Sequence, residues 1–213
     1  MSFPMFLAAN LPSFLEFFVR GGFFMAVLVV LSIFSLAVII QRALIITMDR
    51  VLPPPVLKSV SAYQQGASIE TLQRVFQREP SPLSRVLTTL LQHRDWPRAE
   101  ALDAVQTRAR HEISRMESGL VFLEITTGIS PLLGLLGTLS GLVGIFANIG
   151  DHGDPQIVAT GISQALNCTI IGLGVAVPNL IAYNYFTRRV EVISIDLESI
   201  TTDLMAKLSL GNR

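Results

Sequence analysis

PQIVATGISQALNCTIIGLGVAVPNLIAYNYFT, residues 155–187, runs for 33 residues without a charged side chain. Crossing a hydrocarbon core of about 30 Å takes roughly 20 apolar residues in a helix. At about 1.5 Å per residue this stretch reaches ~50 Å, so part of it projects beyond the bilayer. Two other stretches, residues 21–41 and 125–150, are also free of Asp, Glu, Lys and Arg. The chain is 50% hydrophobic and only 15% charged, against about 25% charged in an ordinary soluble domain. Its mean hydropathy is +0.53. These features predict an all-α membrane protein with three transmembrane helices.

The charges between the spans set the expected orientation. Residues 42–124 hold 11 of the 16 Lys and Arg, whereas residues 151–155 hold none and carry Asp151 and Asp154. Arg42, Arg50, Arg188 and Arg189 flank the spans closely. Positive charge stays inside, which predicts an outer N-terminus and a cytoplasmic C-terminus. The expected segments are an interfacial or periplasmic region over 1–20 and a first span over 21–46. A cytoplasmic helical region over 47–124 follows. The second span covers 125–150, a periplasmic loop 151–155 and a third span 156–187 with a cytoplasmic extension. A cytoplasmic helix and tail over 188–213 close the chain. The first span has no Lys or Arg before Arg20, so it lacks the basic start of a cleaved signal peptide and is expected to be retained.

Within 47–124 the pattern is helical. Pro53, Pro54 and Pro55 stop the first helix from continuing. Ser81-Pro82 is a cap and first-turn pair, and Asp95-Trp96-Pro97 marks another start. Leu102, Val105, Ala109, Ile113, Met116 and Leu120 recur at three- and four-residue steps. Asp103, Arg108, Arg110, Glu112, Arg115 and Glu117 fall between them, which predicts an amphipathic helix running straight into span two.

No phosphate-binding loop, HExxH or nucleophile–base pairing is present, so no enzyme activity, cofactor or catalytic residue is expected. His93, His111 and His152 are scattered and read as solvated, and Cys168 is the only cysteine, so no metal site is expected. Nothing points to nucleic acid. The informative residues are polar ones inside the spans: Ser130, Thr138, Ser140 and Asn148 in the second, Gln164, Asn167, Thr169 and Asn179 in the third. Lipid penalises such groups, so they face other helices or a watery lumen. Gly134, Gly137, Gly141 and Gly144, with Gly161, Ala165, Gly172 and Ala176, suit close helix packing. Spacing alone allows all of them to be packing residues. Neither span carries a titratable carboxylate, Lys, Arg or His. Threonine does not titrate near neutral pH, so a proton path here would need an acid from a second protein.

Ser130 to Gly141 reads SPLLGLLGTLSG and Gly161 to Leu173 reads GISQALNCTIIGL, followed by Pro178 and Asn184. In order and wording these resemble the MotA/TolQ/ExbB proton-channel family, on its ExbB/TolQ side, over roughly residues 20–205. The resemblance implies a homopentamer in the bacterial inner membrane enclosing an ExbD/TolR-type single-span partner. That partner's transmembrane Asp takes up the proton, and a TonB- or TolA-like periplasmic effector receives the work. It implies pore roles for Thr138 and Thr169, and helix shaping by Pro131 and Pro178. Gln164 stands where the family has glutamate, and its amide can hydrogen-bond but neither titrates nor carries charge; Cys168 replaces a small apolar residue. The competing reading is a non-conducting scaffold that clamps a partner helix.

Overall fold

The computed structural model describes residues 22–63, 68–147 and 155–210, and the side chains of residues 155, 157, 164, 209 and 210 are outside the description. The expectation for residues 1–20 therefore falls outside the described residues, as do 151–154 of the expected loop. Among the described residues every regular element is helical: α1 (Gly22–Ile45), α2 (Met48–Val51), α3 (Pro54–Ala62), α4 (Ile69–Arg78), α5 (Pro82–Gln92), α6 (Arg98–Glu117), α7 (Leu120–Ala147) and α8 (Pro155–Leu210). Three helical stretches are long and apolar enough to cross a membrane: Gly22–Ile45, Arg98–Ala147 and Val158–Leu208. The chain is a three-span, all-α membrane protein.

The helices fall into two compact units. The first combines α1 as far as Ile39 with Val121–Tyr183, and the second combines Ile40–Leu120 with the chain from Asn184. In the first, Met25 and Leu28 of α1 are fully buried, as are Ser130 of α7 and, nearly so, Asn179 of α8. The other faces of these helices are equally apolar: Ile33, Phe34, Leu132, Val143, Ile170 and Ile181 are all more than half exposed. A helix hydrophobic on every side suits lipid.

The second unit is a small helical assembly with an aliphatic core. Val56, Leu72, Phe76, Leu83, Val86, Leu87 and Leu90 are buried alongside Ile193, Leu197 and Leu204 of α8. Lys207 Nζ donates to the Val60 carbonyl at 3.1 Å, tying the end of α8 to α3. The sequence signals for helix starts are used as predicted at Ser81, whose Oγ accepts from the Ser84 N–H at 3.1 Å, with Pro82 in the first turn. At the proline run the outcome differs. α1 has already ended at Ile45, and Pro53 precedes α3 with Pro54 and Pro55 in its first turn. Proline is well placed there because the first helical N–H groups have no partner to lose.

One further expectation is refined and one corrected. The amphipathic helix runs on into span two as one helical stretch, Arg98–Ala147, marked only by a two-residue turn at Ser118 and Gly119 between α6 and α7, where Ser118 keeps helical backbone angles. Arg42 sits at this turn. Its guanidinium donates to the Arg115 and Met116 carbonyls at 3.4 and 3.3 Å and to Ser118 Oγ at 3.5 Å, filling the space a side chain on Gly119 would need. A cation suits the carbonyl end of a helix.

Glu112 does not lie on a solvated face. It is 1% exposed and shares the buried side of α6 with Ala101, Val105 and Met116, while Leu102 is exposed. Arg85 Nε and Nη2 reach its two oxygens at 2.8 and 2.6 Å, and Arg108 Nη2 lies at 2.9 Å. Burial pushes the Glu112 carboxyl up, but the Arg85 hydrogen bonds and the charges of Arg85, Arg108 and Arg115 outweigh it and hold the group below its ordinary value.

Candidate functional site

α7 and α8 pack backbone against backbone because glycine stands at the closest points. A methyl group on Gly172 would sit 2.6 Å from the Ser130 carbonyl oxygen and 3.1 Å from Gly134 Cα. One on Gly134 would sit 2.8 Å from the Cys168 carbonyl oxygen and 3.1 Å from Thr169 Cα. On Gly137 it would meet Cys168 Cβ at 2.9 Å and Phe24 Cβ of α1 at 3.2 Å; on Gly141, Ala165 Cβ at 3.0 Å. The glycine step therefore brings three helices together, with Cys168 buried as a packing residue.

That approach places the two threonines in contact. Thr138 Oγ1 and Thr169 Oγ1 are 2.5 Å apart, a short O–H···O hydrogen bond in which either can donate. Thr138 Oγ1 also lies within donating distance of the Gly134 carbonyl at 3.1 Å and the Ala165 carbonyl at 3.2 Å. Thr169 Oγ1 reaches the same Gly134 carbonyl at 3.3 Å. Two hydroxyl protons thus share two carbonyls and each other, so the pair can reverse its hydrogen-bond direction by rotating two hydroxyls. It can accept from or donate to a third group without itself ionising. Thr138 is 7% exposed, whereas Thr169 is only part-buried and is the more accessible member of the pair.

The remaining predicted residues are distributed around this pair. Pro131 lies within α7, half-buried, and Pro178 within α8, exposed. Gln164 belongs to α8, but its side chain is outside the described residues. Sequence reasoning missed the carbonyls of Gly134 and Ala165 as acceptors, since backbone groups leave no signature in residue identity. Among the described residues no group of three or more His, Cys, Asp and Glu is placed to hold a metal ion.

The description of the MotA/TolQ/ExbB proton channel family matches residues 78–199. A biopolymer transport protein ExbB homolog of Methanothermobacter thermautotrophicus is 30% identical over 179 residues, covering 83% of this chain and 64% of that protein. The biopolymer transport protein ExbB of Neisseria gonorrhoeae is 31% identical over 144 residues, covering 60% and 66%. An ExbB-like protein of Synechocystis is 31% identical over 191 residues, covering 84% and 72%. The chain spans slightly under two thirds of the first two relatives' length.

Proposed function

Because this chain belongs to the MotA/TolQ/ExbB proton channel family, we propose that it is the channel-wall subunit of a proton-driven motor. It assembles as a homo-oligomer, a pentamer by family resemblance, in the bacterial inner membrane, with the N-terminus outside and residues 47–124 and 188–213 in the cytoplasm. An ExbD/TolR-type single-span partner supplies the titrating aspartate. The motor energises biopolymer transport or other envelope work through a TonB- or TolA-like effector. Its role is transport rather than catalysis.

The observation that carries this reading is the Thr138–Thr169 hydroxyl pair, held at 2.5 Å between two spans that contain no Asp, Glu, Lys, Arg or His over residues 125–150 and 155–187. Hydroxyls of this kind hydrogen-bond a partner's carboxyl in either protonation state, as donors to the carboxylate and acceptors from the acid. They lower the cost of moving a proton onto and off that acid without trapping it. An elementary charge crossing about 100 mV releases about 2.3 kcal/mol, so several protons in succession supply enough work to rotate one helical assembly against another.

The test is proton uptake by liposomes holding the chain with its partner. Thr169→Ala is expected to leave the complex assembled and to lower uptake at least tenfold. Thr138→Ala should do the same to a smaller extent, because Thr169 is the accessible member. Normal uptake in both variants removes these roles. A complex that clamps its partner but passes no protons under any load is the scaffold instead.

A further inference from the structure

Two buried polar groups, one on α7 and one on α8, have no hydrogen-bond partner among the described residues: Ser130 Oγ and Asn179 Nδ2. Their residues are 0% and 1% exposed. An unsatisfied buried amide or hydroxyl is destabilising, and hydrocarbon offers no relief. Another protein chain cannot supply the missing partner, because it can touch only what a single chain leaves exposed. The partner must be small enough to sit inside.

Two prolines sharpen the point. Pro131 follows Ser130 and cannot donate to the Thr127 carbonyl four residues back; Pro178 precedes Asn179 and cannot donate to the Gly174 carbonyl. The Ser130 carbonyl faces Gly172, and Asn179 lies seven residues further along α8, two turns on the same side. In this antiparallel register the level of Ser130 and the next turn of α7, with the buried Thr126, runs opposite Gly174 to Asn179. Thr126 Oγ1 donates to the Phe122 carbonyl at 2.7 Å, keeping its lone pairs free to accept. Two successive turns of the α7–α8 pair therefore carry two unpartnered side-chain groups, two backbone carbonyls deprived of their usual donor and an acceptor hydroxyl. Buried water characteristically makes about three hydrogen bonds to such groups.

We propose that Ser130 and Asn179 hold ordered water inside the α7–α8 interface, and that this water continues the polar line begun by Thr138 and Thr169. Ser130 lies eight residues from Thr138, about 12 Å along the helix. Under the proposed orientation that is the cytoplasmic side of the hydroxyl pair, so the water sits where a released proton leaves. Ser130 and Asn179 are then positioning residues, and this relay role rests on the proton-motor reading above, whereas the hydration does not.

The experiment uses the complex in lipid bilayers. Solid-state NMR with asparagine-labelled chain measures polarisation transfer from water to the Asn179 side-chain amide, its signal assigned by loss in Asn179→Leu. Rapid transfer, weakened in Ser130→Ala, is the expected result; a dry amide that stays protonated in D2O overturns the proposal. In liposomes, Ser130→Ala with Asn179→Leu should lower proton uptake at least fivefold with assembly intact, while Ser130→Thr stays within twofold. Uptake unchanged in the double variant overturns the relay. A hydrated amide in a parent complex that passes no protons would sink the motor and leave the water site standing, so the two ideas fail separately.

Discussion

Where α7 meets α8, the closest approaches are backbone to backbone at Gly134 and Gly172; where α5 meets α6, a buried carboxylate is gripped by two guanidinium groups. The contrast follows from the surroundings. Lipid tails are as apolar as leucine, so burying aliphatic side chains gives helices in a membrane little reason to associate. Close van der Waals fit and interhelical hydrogen bonds take over. The second unit, with the charges concentrated in it, gains from burying Leu83, Leu87 and Leu90. It can spend part of that gain on orienting helices through Glu112. The first region is therefore sensitive to volume and the second to charge.

The largest expected effect tests the charge side. Glu112→Ala leaves Arg85 and Arg108 facing an emptied pocket; both are about a third exposed, which softens the loss. A destabilisation of about 2–3 kcal/mol is expected, seen as faster hydrogen exchange in α5 and α6 with the spans unaffected. Next in size is volume. Gly172→Ala forces α7 and α8 apart at a backbone contact and should cost about 1–3 kcal/mol, read as a lower unfolding temperature in detergent; equal loosening of α5 and α6 would erase the contrast.

Acid separates the regions more gently. Because the Glu112 value is depressed in the fold, its contribution is complete above the unfolded carboxyl value of about 4.3 and is lost as pH falls through the lower folded value. Hydrogen exchange in α5 and α6 should rise below about pH 4, while exchange across residues 125–147 and 156–183, which hold no carboxylate, should not. The smallest effect is a control. Gly128 has no atom within 4 Å of where a side chain would begin. Gly128→Ala should be neutral or raise stability by up to about 1 kcal/mol in the detergent-solubilised chain. A large loss there would mean that position, rather than the glycine interface, governs the bundle.

The spans were legible because charge is so costly in lipid that its absence over 33 residues leaves few alternatives. The glycine spacing was legible too, and the motif wording pointed to the two threonines. Their mutual contact was not: it depends on the register between helices 31 residues apart in sequence, which no local pattern encodes. Glu112 was misread for a related reason. Periodicity placed it between the apolar positions of α6, but the buried stripe is turned toward Ala101 and Glu112 by a partner, Arg85, 27 residues away. The Ser118–Gly119 turn was hidden because Gly119 answers to Arg42, which lies on another helix.

Arg42 and Gly119 have one further consequence. The end of the first span and the root of the second are fastened at a single notch, and the notch exists only because residue 119 has nothing beyond its α-carbon. A lone methyl at 119 should push the flexible end of Arg42 out of this notch and loosen the tie between the end of α1 and the end of α6, with an effect no larger than that of removing the arginine.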